Sequence, residues 1–186
     1  MSVTTSNLLL GPATLYQGAF GATEPAETAV NSTPQASAFT DMGGTMDGVT
    51  LAIDQTYTAL EVDQIVDRAG SRLTKRDMSV ATSLAEATLE NLAVSMNSGT
   101  TASGAGYKSL EPNFASSATQ PSYTALLFDG WGANSFRRRV IVRKVLSTDS
   151  VEMAYTKDKQ TVFKVKFSAH YVSAAIAPFH ITEATA

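Results

Sequence analysis

The chain has 186 residues, 44% of them hydrophobic and 17% charged, with a formal net charge of −3 and a pI near 5.3. That length holds one domain with a real core, or one domain with long arms. The lack of cysteine excludes disulfides, thiol catalysis and thiolate metal sites, and the acidic balance argues against avid DNA binding. A surface poor in charge and rich in Ala, Ser, Thr and Gly suits extensive subunit contact, although an ordinary β domain has much the same composition.

Residues 1–12, MSVTTSNLLLGP, read as an extended arm that ends at Gly11-Pro12. The arm has no positive n-region, and its apolar run is only Leu8-Leu9-Leu10. No cleaved signal is therefore expected, and no stretch has the length needed to cross a bilayer. Synthesis in the cytoplasm follows as an expectation. A short strand is predicted over Ala13–Phe20, and residues 21–38, aperiodic with two prolines, read as a surface loop. A glycine-rich turn then leads into a strand from Val49 to Thr58. Val49, Leu51, Ile53 and Tyr57 point one way there, and Thr50, Ala52, Asp54, Thr56 and Thr58 the other.

A connector over 59–72 is too long for a tight hairpin. From Leu73 to Leu84 the pattern alternates again, with Thr74, Arg76, Met78, Val80, Thr82 and Leu84 on one face and Lys75, Asp77, Ser79, Ala81 and Ser83 on the other. These two strands are predicted to pair antiparallel as a ribbon with one continuous wet side. Ser83-Leu84-Ala85-Glu86 has the form of a capping box, so a helix of about three turns is expected to start there and to stop at Asn97-Ser98-Gly99. Residues 97–122, rich in Ser, Gly, Thr and Ala, read as a long flexible loop. Strands follow at Tyr123–Phe128, closed by a turn over 129–132, then at Phe136–Leu146, Val151–Tyr155 and Thr161–Tyr171, with an edge strand or arm in the tail from Ala174. About seven strands and one helix make a mainly β protein, a β-sandwich or open barrel with one flanking helix and long loops. A single domain spans 1–186, with an arm at 1–12 and assembly loops at 59–72 and 97–122.

Eight acidic residues precede the first basic one, Arg68, and nine of the 14 basic residues fall between Arg137 and Lys166. Either the two regions neutralise each other inside one fold, or an acidic surface of one copy meets a basic surface of the next. No Walker A loop, nucleophile elbow or HExxH is present. The two histidines, His170 and His180, stand without a further ligand nearby in sequence. No catalytic residue, metal site or cofactor is expected. Arg137-Arg138-Arg139 is the densest basic cluster, but alternation along a strand divides it between two faces.

The run VDQIVDRAGSRLTKRDMSVATSLAEATLENL, preceded by FTDMGGTMDGVTLAIDQ and by LLLGPATLYQGAFGATEPA, resembles the major tail tube proteins of long-tailed bacteriophages. The glycine-rich opening strand, the D-x-G…GV strand start, the VDQ loop, the basic connector and the AEATLENL-type helix occur in that family's order, over roughly the first hundred residues. The resemblance implies a structural virion protein, not an enzyme. Such a protein forms six-membered rings that stack into a hollow tail tube, assembled in the host cytoplasm, and the tube conducts double-stranded DNA without binding it specifically. Implied partners are further copies of the chain, the tape measure, the tail terminator and the distal tail or baseplate proteins, with no membrane. The wet face, Thr50, Asp54, Thr56, Lys75, Asp77 and Ser79, is the lumen candidate. Glu61, Asp63, Asp67, Arg68, Arg72, Arg137 and Arg139 are the inter-subunit candidates. Two alternatives stay open: another β-rich virion assembly protein, such as a capsid decoration protein or an injection-machine tube, and a small carbohydrate-binding or esterase-like module.

Overall fold

A computed structural model describes residues 3–97, 99–112, 118 and 120–185. Among them are ten strands and one α-helix: β1 (Thr14–Ala19), β2 (Phe39–Asp41), β3 (Thr45–Leu60), β4 (Gly70–Leu84), α1 (Leu89–Ser95), β5 (Thr100–Gly104), β6 (Tyr107–Glu111), β7 (Thr124–Trp131), β8 (Arg137–Ser147), β9 (Phe163–Ala169) and β10 (Phe179–Glu183). Eight strands form one antiparallel sheet in the order β2-β1-β7-β8-β9-β4-β3, with β10 also on β8. The fold is thus mainly β with one helix, in keeping with the sandwich or open barrel that the alternation predicts.

The sheet folds over itself because β8 changes partner along its length. Residues Arg138–Val142 pair with β10, and Val145–Ser147 pair with β9. A bulge against β7, where Thr124 meets Val145 and Leu126 meets Val142, supplies the bend and turns both Val142 and Val145 inward. Inward rows from both halves then meet in one core: Leu126, Phe128, Val140 and Val142 from one side, Val80, Leu84, Phe163, Val165 and Phe167 from the other. Ile141 lies on the opposite face of β8, in a second cluster with Tyr16, Phe39, Ala125 and Leu127. The Val140-Ile141-Val142 run is therefore apolar throughout because both faces of the strand are covered.

The cover over that second face is the segment 20–38, held by cations. Arg139, 2% exposed, forms a two-pronged ion pair with Asp129, and it donates further hydrogen bonds to the carbonyls of Ala29 and Ser32. Four residues along, Arg143 makes a two-pronged pair with Glu24 and donates to the carbonyl of Ala177. Glu24 holds the Arg143 pKa above its ordinary value. A raised pKa keeps this contribution intact below the unfolded value and loses it only as pH climbs through the folded one, well beyond neutrality.

The helix starts later than the capping box implies. Ser83 stays in β4, paired with Met46 and Lys164. Thr88 is the cap, accepting from the Asn91 backbone N–H at 3.1 Å. The Glu86 carboxylate instead accepts from the Gly44 N–H, so close to Gly43 (φ +81°) that a side chain there would collide with it. Asn97 adopts φ 51° just past the helix, as a stop requires, whereas Ser98 lies outside the described residues.

Three further expectations need correction. The 97–122 stretch carries the hairpin β5–β6, whose two-residue turn uses Gly106 at φ 86°, tied to α1 by Lys108 and Glu90 at 2.6 Å. Residues 113–117 and 119 of that stretch lie outside the described residues. No strand forms over Val151–Tyr155: the β8–β9 ladder ends at Ser147 opposite Phe167, and the chain beyond it leaves β9 to run irregularly along an open cleft. Lastly, β7 runs through Trp131, and the chain turns at 132–136 instead, where Asn134 and Ser135 take positive φ.

Breaking the buried pair by Arg139→Met should strand the Asp129 carboxylate and cost about 3–5 kcal/mol in urea unfolding. Pairing it with Asp129→Leu should recover most of that loss, since a buried ion pair is readily replaced by apolar groups of similar size.

Candidate functional site

The longest ladder in the molecule joins β3 and β4, and most of it has no neighbour. β9 pairs with β4 only over Ser79–Leu84, so among the described residues the sole strand partner of β4 from Gly70 to Met78 is β3, and β3 is itself the edge of the sheet. The result is a two-stranded ribbon reaching out from the sandwich. The register places Thr50 opposite Ala81, Ala52 opposite Ser79, Asp54 opposite Asp77 and Thr56 opposite Lys75. Opposed residues share a face, so all six lumen candidates lie together on one polar face. Asp54 stands directly across from Asp77, and Lys75 relieves that repulsion with an ion pair to Asp77 at 2.6 Å. That hydrogen bond raises the Lys75 pKa, but both groups are open to water and their attraction is screened.

The other face continues the core. Val49, Leu51 and Val80 pack in the main cluster, and Met78 is buried. Farther out the same stripe is bare: Ile53 is 40% exposed, Tyr57 56% and Leu73 37%. Leu73 joins this stripe through a bulge that strict alternation does not foresee. Thr56 pairs with Lys75 but Tyr57 pairs with Leu73, so Thr74 is the extra residue, its hydroxyl donating to the carbonyl of Thr56. A second bulge at Asp47-Gly48, both with positive φ, is fixed by the Thr82 hydroxyl donating to the Gly48 carbonyl at 2.8 Å. Loop 61–69 closes the tip, with Val62, Ile65 and Val66 exposed.

At its base the polar face is walled by the irregular segment 148–162. Gln160 donates to the carbonyl of Ala85, and the Thr161 hydroxyl to that of Ala154. Between this wall and the sheet lies an open cleft of about 720 Å³. Small residues, Thr50, Ala81 and Ser83, form its floor. Lys159, Lys164 and Lys166 line it together with Asp47, Asp149 and Glu152.

The inter-subunit candidates separate into two groups. Glu61, Asp63, Asp67, Arg68 and Arg72 are exposed around the tip, and none forms an ion pair among the described residues. Arg137 and Arg139 are engaged within the chain. Arg137 stacks over the Trp131 ring at 5.4 Å, and Arg139, being buried, is out of reach of a neighbouring subunit. Arg138 pairs with Glu183, so the basic run on β8 is used internally. The contact of Glu24 with Arg143 also crosses between the acidic and basic regions of the sequence, and Glu27 meets His180 of β10.

His170 lies edge-on to Tyr123, whose ring also carries the Lys144 ammonium at 4.2 Å. Among the described residues no group of three or more His, Asp or Glu side chains is placed to hold a metal, and no helix is long and apolar enough to cross a membrane. The cleft lysines were missed by sequence reasoning, although the alternation of Lys164 and Lys166 already put them on the polar side of β9. No protein-family model matches the chain, and no curated protein matches it significantly.

Replacing Tyr57 or Leu73 by Ser should cost no more than about 1 kcal/mol of monomer stability, because the two face each other as one cross-strand pair at exposed positions of the outer ribbon. Leu84→Ala, on the covered part of the same ladder, should cost about 2–5 kcal/mol in the same denaturant titration.

Proposed function

We propose that the chain is the subunit of a hollow tube of the long-tailed bacteriophage type, built from stacked six-membered rings and acting as the conduit for genome delivery. The observation that carries this reading is the ribbon: a long edge strand with unpaired backbone groups, bearing an apolar stripe that leaves the core and ends in water. In a monomer such an edge invites aggregation, whereas pairing that closes into a ring satisfies it. The polar face then turns toward the lumen, presenting Thr50, Asp54, Thr56, Lys75, Asp77 and Ser79. Hydroxyls and a partly neutralised row of charges hydrate passing DNA without gripping its phosphates.

On this reading the chain works in the virion tail after assembly in the host cytoplasm, with the tape measure inside the tube and terminator and distal tail proteins at its ends. It performs no catalysis. The arm over 1–12, whose Leu8 and Leu10 are exposed, is available to join rings.

Electron microscopy of the concentrated protein, paired with sedimentation velocity, should show six-fold rings or hollow tubes. A chain that stays monomeric even with disrupted virions as seeds would replace this proposal with that of a ligand-binding module. Deleting residues 1–10 should leave the unfolding midpoint unchanged while shortening or abolishing tubes, and tubes of normal length would remove the arm from the mechanism.

A further inference from the structure

We infer that the cleft at the base of the ribbon receives the ribbon tip of a second copy, an inference that rests on the assembly proposed above. The fold leaves two sets of charges unused. Among the described residues, every basic side chain outside two regions has a partner: Lys75, Lys108, Arg138, Arg139 and Arg143 in ion pairs, Arg137 and Lys144 over aromatic rings. The two exceptions are the outer ribbon, with Arg68, Arg72 and Arg76, and the stretch 157–166 that borders and lines the cleft. Unpaired carboxylates concentrate in the same places, Glu61, Asp63 and Asp67 at the tip and Asp47, Asp149 and Glu152 in the cleft.

Each region thus presents both signs. The three carboxylates at the tip match Lys159, Lys164 and Lys166, and Arg68 and Arg72 match the cleft acids. The register shows how the cleft sets them apart: Lys164 lies beside Ser83 and Lys166 beside Ala81, while the Asp47 bulge lies on β3 beyond β4. Lysines and Asp47 are thus two strands apart, about 10 Å, across a floor of small side chains that leaves room for a loop.

A chain cannot fill its own cleft with its own tip. Thr50 lines the cleft and Leu60 begins the tip, and antiparallel pairing over the ten steps from one to the other, interrupted only by the Thr74 bulge, holds the two about 33 Å apart. The occupant must be another copy. Tip and cleft are different surfaces, so the contact repeated head to tail continues from copy to copy, as a ring or a stack requires. Being a contact between exposed charges, it should also weaken as salt rises.

The test compares the full wild-type chain with a tip reversal (Glu61→Lys, Asp63→Lys, Asp67→Lys), a cleft reversal (Lys159→Glu, Lys164→Glu, Lys166→Glu) and their combination, by sedimentation velocity and electron microscopy. Each reversal alone should raise the concentration needed for assembly by at least about tenfold, and the combination should return it to within about threefold of wild type. All four should share one circular dichroism spectrum, since the changed groups are exposed. As the chain is free of cysteine, Asp63→Cys on one copy and Lys164→Cys on another should give a mixed disulfide when the two variants assemble together. Reversed variants that assemble like wild type would overturn the tip-in-cleft contact while leaving the tube proposal standing. So would a combination that fails to recover, or disulfides formed only between like variants. A wild-type chain that never assembles would overturn both.

Discussion

An apolar stripe on a strand has to be covered, and β9 lies beside β4 only over its last six residues, Ser79–Leu84. Everything distinctive about the molecule follows from that shortfall. Where β9 lies alongside, Val80 and Leu84 sink into a core shared by both layers and are fully buried. Where β9 is absent, the same stripe runs on through Ile53, Tyr57 and Leu73 with only β3 beside it. A two-stranded ribbon is marginal in water by itself. This one is stabilised by continuity with the sandwich at its base and is left with an uncovered face and an open edge farther out.

On the other side of the sheet the outward face is covered. The outer face of β7 and β8 carries apolar and charged side chains that would be costly beneath an untethered loop. The 20–38 segment covers them through Arg139 and Arg143, with backbone carbonyls completing the arginine hydrogen bonds. A buried ion pair of this kind adds little net stability over apolar substitutes, but once formed it punishes any arrangement that separates its members. The basic cluster of the sequence is therefore a device for holding a loop on a sheet. Its partners are Glu24 from the acidic region and Asp129 and Glu183 from nearer strands.

Much of the fold was legible because period-two alternation is a local signal. The two ribbon strands, the polar face through Thr50 and Ser79, and the doubly covered Val140-Ile141-Val142 run all follow from side chains taken two at a time. What escaped depended on distant partners. Ser83 and Glu86 have the right spacing for a capping box, yet Ser83 is claimed by ladders to Met46 and Lys164, and Glu86 by the Gly44 amide. Thr88 caps the helix because it is the first such residue free of the sheet. The bulge at Thr74 moves Leu73 onto the apolar face, and nothing in the local pattern marks it. Arg139 looked available for a neighbour because its partners, Asp129 and the Ala29 and Ser32 carbonyls, lie 10 and more residues away. The cleft is a tertiary product, a β9 face and a β3 bulge walled by a segment without regular structure.

The central claim is that the ribbon is incomplete until other copies cover it, and amide hydrogen exchange measured before and after assembly tests this most directly. Amides of Thr50–Leu60 and of loop 61–69 should exchange rapidly in the dilute monomer and slow by about a hundredfold or more in the assembled state, while those of β1 and β7 stay slow throughout. Ribbon amides that exchange equally fast in both states, with new protection confined to other surfaces, would contradict the account.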